Sequence, residues 1–427
     1  MNINLQSLFN SLWPLNRSLT GDGNRETLRI LSEVIPLKIY EIPCGTKCFD
    51  WEIPSEWNVK EAWIKNSKGE KIIDFSINNL HLLGYSEPIH KIISYDELKK
   101  HLYTLPEQPD AIPYRTSYYQ KRWGFCMSYT QYLTLSPEEK YEVYIDASHN
   151  TAGSMTVAEA EIKGNTNKTI YITTYICHPS MANNELSGPL VICKLFHLIK
   201  EKILNPQYTY KFLFMPETIG SIWYLSTHKD EIIKNCLSGI VVTCIGDEAP
   251  FTLKKSRIGN GILEKCIEYL LETSHKPYKL YDFFPLGSDE RQYCSPGFNL
   301  PFCSLTRSMY GQYKEYHTSL DNKDFISFEA MNKSSEFLFQ CIQTVEYNAT
   351  YINTYPYCEL QLGKRGLYPT LSAPNARTKT IDAIMWILNY SDGEHDLLWI
   401  AQKSKIEFTV IKEATELLLQ HKILIKK

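Results

Sequence analysis

The sequence predicts an α/β protein: a helix-covered, mostly parallel sheet, interrupted by a small β-rich insertion and followed by a winged-helix module. Three observations carry that prediction. From Tyr141 onward, strand-like runs (141–146, 154–163, 169–177, 209–215, 239–245) alternate with helical runs (188–203, 220–235, 260–273, 327–346), the order that builds such a sheet. Between 44 and 140, short strand-like pieces separated by turns replace the periodic helices. After 361, three short helices lead into a strand-like end.

Residues 4–13 form an amphipathic helical pattern (Leu5, Leu8, Phe9, Leu12, Trp13) ended by Pro14. Arg17-Ser-Leu-Thr-Gly-Asp-Gly is a loop by its glycines, and Asn24 is placed to cap a second helix with Leu28, Leu31 and Ile35 on one face. A strand follows at Ile39–Pro43. These pieces have no core of their own, so 1–43 is assigned to the same sheet as 141–360, which makes 44–140 an insertion. Within it, Trp51–Pro54, Ala62–Lys65, Lys71–Phe75 and Leu80–Gly84 are strand-like, and proline and tyrosine crowd 105–119. The last module spans 361–427: Thr380 opens a helix with Ile381, Ala383, Ile384 and Ile387 inward, Asp396 caps Leu397–Gln402, and a third helix covers about 407–421.

A net charge of −3 over 427 residues argues against a nucleic-acid surface as the main business of the chain. The N-terminus lacks a signal-peptide pattern and no apolar run reaches the length of a membrane span. A soluble, cytoplasmic protein without a membrane partner is expected. Cys193, Cys236, Cys244, Cys266 and Cys341 sit singly in apolar segments, as small buried hydrophobes do. Cys44 and Cys48 make a C-x3-C with no second pair, a poor zinc site, and disulfides are not expected.

The chemistry gathers where strands end. Ile170, Ile172 and Ile176 mark a buried strand that stops at His178-Pro179, because proline cannot continue a central ladder. Carboxyl ends of strands are where open α/β sheets bind ligands. Glu217 follows the strand-like Phe212-Leu-Phe-Met, and Asp247 with Glu248 follows Ile240-Val-Val-Thr-Cys-Ile. His317 and Asp321 share a polar loop, as do Asp289, Glu290 and Arg291. Each has a bland reading: Glu217 as a first-turn acid favoured by the helix dipole, Asp247 as a strand terminator, His317 as an ordinary histidine. Together, two histidines and two acids at one sheet edge form the N/O donor set that zinc prefers, and a further carboxylate would serve as base.

His178-Pro-Ser-Met-Ala-Asn-Asn-Glu-Leu-Ser-Gly, Glu217-Thr-Ile-Gly-Ser, Gly287-Ser-Asp and His317-Thr-Ser-Leu-Asp, in that order, resemble the motifs of the zinc aminopeptidases of the aminopeptidase and glutaminyl-cyclase group. More closely, the whole chain resembles bacterial aminopeptidase-like proteins encoded beside polysaccharide-biosynthesis genes. Arg17-Ser-Leu-Thr-Gly-Asp-Gly and Gly363-Lys-Arg-Gly-Leu-Tyr-Pro-Thr are similar to signatures of that subgroup. The resemblance implies a zinc-exopeptidase-like mixed sheet with helices on both faces, an inserted β domain and a C-terminal winged helix. It also implies one or two zinc ions, with His178 on one and His317 on another.

Three departures point to a single zinc. Asn184 stands where the group has a bridging aspartate, and an amide lacks the charge that holds two cations together. Thr218 replaces the second of two paired acids after Glu217, and Thr243 falls where an aspartate is expected, leaving Asp247 as a substitute.

The expectation is a zinc-dependent aminopeptidase-like hydrolase of a peptide or amide bond. His178, His317 and either Glu217 or Asp247 would be ligands, and Glu217 the catalytic acid-base group otherwise. Asn184, Glu185, Asp289, Glu290 and Arg291 would bind substrate or support the ligands. One rival is amide hydrolysis or transfer on an aminoacyl- or acyl-sugar, and another is a non-catalytic binding or assembly protein. A small peptide or aminoacyl-type substrate, no nucleic acid, no membrane and a homo-oligomeric state are expected. The last helix holds Glu407, Glu413 and Glu416 against Lys412 alone, which phosphates would repel.

Overall fold

Eight strands form one twisted layer: β1 (Lys38–Pro43), β2 (Ser154–Ile162), β3 (Thr169–Tyr175), β4 (Thr209–Met215), β5 (Cys236–Val242), β6 (Phe251–Lys254), β7 (Tyr278–Tyr281) and β8 (Phe302–Thr306). Their lateral order is β1-β2-β4-β3-β5-β8-β6-β7. This computed structural model describes residues 3–367 and 379–427. The centre is parallel (β4 with β3, β3 with β5, β5 with β8), and both flanks carry antiparallel pairs, so the sheet is mixed. Helix Ser187–Lys202 makes the crossover from β3 to β4, and helices Ile219–Thr227 and Lys229–Asn235 the crossover from β4 to β5. Every residue of β3 and β4 is buried, as in strands covered on both faces.

Three local expectations are corrected. The strand expected over 141–146 in this sheet is Lys140–Asn150, and it pairs instead with Glu56–Lys65 and Ile89–Ser94 in a separate four-stranded antiparallel sheet completed by Lys71–Asp74. Its alternating buried and exposed residues are those of a sheet with one wet face, which the sequence reading passed over. β5 stops at Val242, short of 245, because Cys244 takes a left-handed backbone (φ 47°) that ends the ladder. Asn24 is not a helix cap: Gly21 takes that place, and the Asn24 side chain binds Ser18 N (2.9 Å) and the Ile176 carbonyl (2.9 Å).

The chain falls into two compact units, Met1–Glu264 with Pro277–Phe339, and Lys265–Lys276 with Gln340–Lys427. The four-stranded inserted sheet belongs to the first, where Trp57 stacks on Tyr85 at 5.5 Å. A loop from this insertion returns to the main sheet: Pro113 bridges Thr318, and Tyr114 N donates to the His317 carbonyl at 2.8 Å.

The second unit, taken by itself, holds helices Lys379–Tyr390, Leu397–Ser404 and Phe408–Gln420. Its antiparallel sheet runs Asp392–Asp396, Thr350–Asn353, Leu424–Lys426. Thr350–Asn353 precedes the expected start at 361; four residues are too few to show a period. Ile381, Ala383, Ile384 and Ile387 are buried, and Asp396 accepts from Trp399 N at 2.7 Å as its cap. Tyr368, Pro369, Thr370, Pro374 and Arg377 lie outside the described residues. All twelve cysteines are free. Among the described residues, no helix is long and apolar enough to cross a membrane.

Candidate active site

His178 sits just past β3, buried to 4 % exposure, on a loop clamped from behind. Asn24 holds the Ile176 carbonyl, and Arg17 Nε donates to the His178 carbonyl at 3.2 Å. The chain then enters a single π turn, Ala182–Leu186, before the long helix begins. Asp321 explains that turn. Its carbonyl accepts from Ala182 N (2.9 Å), and its carboxylate accepts from Asn183 N (2.6 Å) and Asn184 N (2.8 Å), capping the helix start from another part of the chain. The turn aims Glu185 at His178, with Oε2 3.1 Å from Nδ1. That contact places the imidazole proton on Nδ1 and leaves Nε2 as a lone-pair donor.

Glu217 follows β4 at a strained turn. Thr218 has φ 66° and ψ −73°, an outlier for a β-branched residue, held by Thr218 N donating to Asp289 Oδ1 (2.7 Å) and Arg291 Nη2 donating to Thr218 Oγ1 (3.2 Å). Ser288 Oγ donates to Glu217 Oε1 at 2.9 Å, leaving Oε2 3.7 Å from His178 Nε2. His317 also has a left-handed backbone (φ 55°) and stacks on Tyr316 at 3.9 Å. Its Nε2 is buried with no hydrogen-bond partner, and its ring lies 5.3 Å from that of His178.

Burial dominates the electrostatics. It pushes His178 down to about 3, with the Arg17 charge adding to the effect, and holds His317 well below the usual histidine range, so both rings are neutral donors. Burial, then the nearby Asp289, raises Glu217 to about 8. Glu185 rises to about 8 by burial, against the pull of Arg17, and Asp289 rises to about 7.

A cavity of about 1040 Å³ opens here, lined by His178, Glu217, His317 and Arg291. Glu185 and Asp289 stand behind this lining, against His178 and Thr218. Three expected residues are not brought to it. Asp247 turns aside: its carboxylate accepts from Asn183 Nδ2 (2.7 Å), Ala249 N (2.7 Å) and Ser308 N (3.1 Å), which holds it in the turn after β5. Glu290 is tied to Lys254 at 2.6 Å with both side chains wholly buried. Asn184 Oδ1 accepts from Tyr175 OH at 2.8 Å, and Thr243 Oγ1 donates to the Asn184 carbonyl at 3.0 Å.

Sequence reasoning missed Tyr114 and Tyr118, which the insertion adds to the lining; the tyrosine crowding at 105–119 was the available signal. It also missed the support given by Arg17 to His178. Cys177, His178 and Glu185 offer donor atoms within 4.8 Å of one another. Cys177 Sγ already accepts from Glu217 N at 3.2 Å and Glu185 already faces Arg17, so two members of that trio have protein partners.

His178 and Glu217 could hold a zinc ion as the chain stands, with donor atoms 3.7 Å apart, and the His317 ring, 5.3 Å from that of His178, would have to approach to join them. Two donors about 2.1 Å from a tetrahedral ion are about 3.4 Å apart, close to the observed His178–Glu217 separation. The buried, unpartnered His317 Nε2 is what such a ligand looks like without its ion.

Comparison with known proteins agrees with this architecture. Residues 6–348 match the model of a family described as a domain of unknown function (DUF4910), and 349–426 match a winged helix-turn-helix model. A Clostridium acetobutylicum protein, named provisionally as a polysaccharide biosynthesis protein with an aminopeptidase-like domain, is 44% identical over 420 residues, 98% of this chain and 95% of its own. A crystal structure from Clostridium acetobutylicum, named provisionally as a peptidase, matches with a TM-score of 0.92 and 44% identity, over 99% of this chain and 96% of its own. A zinc aminopeptidase from Bacillus subtilis shares the fold with a TM-score of 0.58 at 10% identity, over 81% of this chain and 95% of its own. The chain belongs to the DUF4910 family, with an aminopeptidase-like mixed α/β fold and a C-terminal winged helix.

Proposed function

We propose that the chain is a zinc-dependent hydrolase of a peptide or amide bond, working with one zinc held by His178, Glu217 and His317. The observation that carries this reading is the His178 Nε2–Glu217 Oε2 pair at 3.7 Å, in a cavity whose lining also includes the buried, unpartnered His317. Zinc, when bound there, would supply Lewis acidity toward a carbonyl and acidify a water. Glu185 orients His178 by accepting from Nδ1. Ser288 fixes Glu217 through Oε1, and Thr218 keeps the carboxylate at the cavity wall. Tyr114 borders both histidine rings, at 5.2 Å from each, and narrows the access of bulk water. Asn184 and Thr243, engaged with Tyr175 and with each other, supply no charge for a second ion.

The provisional name of the Clostridium relative and the aromatic lining, with Trp51 and Tyr119 5.8 Å apart, favour an amide on an aminoacyl- or acyl-sugar as a second reading of the substrate. A cytoplasmic, homo-oligomeric protein belongs to the same proposal. Elemental analysis of purified protein tests the metal: about one zinc per chain is expected, with amide hydrolysis lost on chelation and restored by zinc. A preparation without zinc that neither gains it nor hydrolyses any amide would leave a binding or assembly role on this fold.

A further inference from the structure

We propose that this cavity takes an anionic amide, a small molecule that carries a carboxylate or phosphate toward Arg115, Arg257 and Arg291. The inference rests on the amide-hydrolase reading of the same cavity and narrows its substrate class. An aminopeptidase must hold the ammonium group of its substrate, which takes a carboxylate with a free lone pair. Among the described residues Glu217 is the one carboxylate in the lining, and it is already engaged by Ser288 and set against His178. No other described residue of the lining offers negative charge to an amine.

Positive charge is plentiful. Three guanidinium groups line the cavity: Arg291 faces the Glu217 and Asp289 carboxylates, while Arg115 and Arg257 have no carboxylate partner among the described residues. Arg257 spends Nη1 on Asn299 Oδ1 at 3.0 Å, a neutral partner that keeps the full charge available. Arg291 donates Nη2 to Thr218 Oγ1 at 3.2 Å, while its Nε is buried without a partner. A buried unpaired N–H is costly and is relieved by a carboxylate or phosphate oxygen, which the guanidinium fork matches in two bonds. One sign of charge along a walled cleft also concentrates ligands of the opposite sign. Trp51 and Tyr119, edge to face at 5.8 Å on the same wall, offer an apolar surface to the remainder of such a molecule.

The test is calorimetric binding to the zinc-loaded full chain of glutarate, glucose 1-phosphate and leucinol, chosen because none can be hydrolysed there. At least one anion should bind about tenfold tighter than leucinol, with affinity falling as salt rises. The double variant Arg115→Gln/Arg257→Gln, altered at two exposed positions, should lose about tenfold in anion affinity while keeping its zinc. Preference for glutarate identifies a carboxylate and preference for glucose 1-phosphate a phosphate. Tighter leucinol binding, no anion binding, or anion affinity unchanged in the double variant would each overturn the proposal, the last because the anion then sits on the metal. Anion binding by a protein that hydrolyses no amide would remove the hydrolase reading and leave this one standing.

Discussion

Arg17 Nε lies 3.4 Å from Glu185 Oε1, and neither side chain has any exposed surface. The same nitrogen donates to the His178 carbonyl, so one guanidinium holds both the imidazole's loop and the carboxylate that orients it. Removing one partner of a buried pair strands the other, at about 3–5 kcal/mol. Arg17→Met should therefore destabilise the chain by about that much in urea unfolding, and Arg17→Met/Glu185→Gln should recover part of the loss. A single variant within about 1 kcal/mol of the parent would show that the pair is not holding the loop.

The zinc assignment predicts three separable losses. His178→Ala, His317→Ala and Glu217→Gln should each lower bound zinc, measured by plasma emission, because each removes one of three donors. Asp247→Asn should leave zinc content unchanged, since its oxygens serve Asn183, Ala249 and Ser308. Zinc kept by Glu217→Gln with hydrolysis lost would move Glu217 from ligand to base.

How much of this was legible in the sequence depended on range. β4 was read to the residue and β3 nearly so, because an unbroken apolar run bounded by a proline is a local signal. His178, Glu217 and His317 could be singled out as candidates for the same reason, each standing at the end of such a run or in a polar loop, and all three line the cavity. The role of Asp321 was not legible, since capping a helix 138 positions away leaves no local pattern. Arg17 was visible only as part of a loop signature; its burial against Glu185 is a tertiary fact. The engagement of Asp247 was not legible either, because spacing cannot show that three donors already bind a carboxylate.

Asn184→Asp looks, on sequence, like the repair of a missing bridging acid. The structure gives the opposite expectation. The amide is wholly buried against Tyr175, and the Asn184 backbone already faces the Asp321 carboxylate. A new charge there would be unpaired and close to another acid. Asn184→Asp should lower the melting temperature, and zinc should stay near one per chain even in excess metal. Two zinc ions per chain with unchanged stability would restore the dinuclear reading.

The winged helix invites a DNA-binding label, and charge argues against it. Residues 374–427 carry eight basic side chains and seven acidic ones, a net of +1. On the helix Phe408–Gln420, the place of a recognition helix, the single lysine is already occupied: Lys412 lies 3.7 Å from Glu416 and 3.5 Å over the Tyr347 ring. Lys379 at the start of the first helix is likewise 3.7 Å from Glu407. Duplex binding is driven largely by lysine and arginine neutralising phosphates, and a helix offering Glu413 and Glu416 instead repels them. The buried residues of this helix (Phe408, Ile411, Ala414, Leu418) show that its apolar side is spent on packing. The full chain should therefore fail to shift a duplex at micromolar concentration in low salt, and deleting 349–427 should change solubility or oligomeric mass. Micromolar or tighter binding with a steep salt slope would show that the domain reads DNA after all.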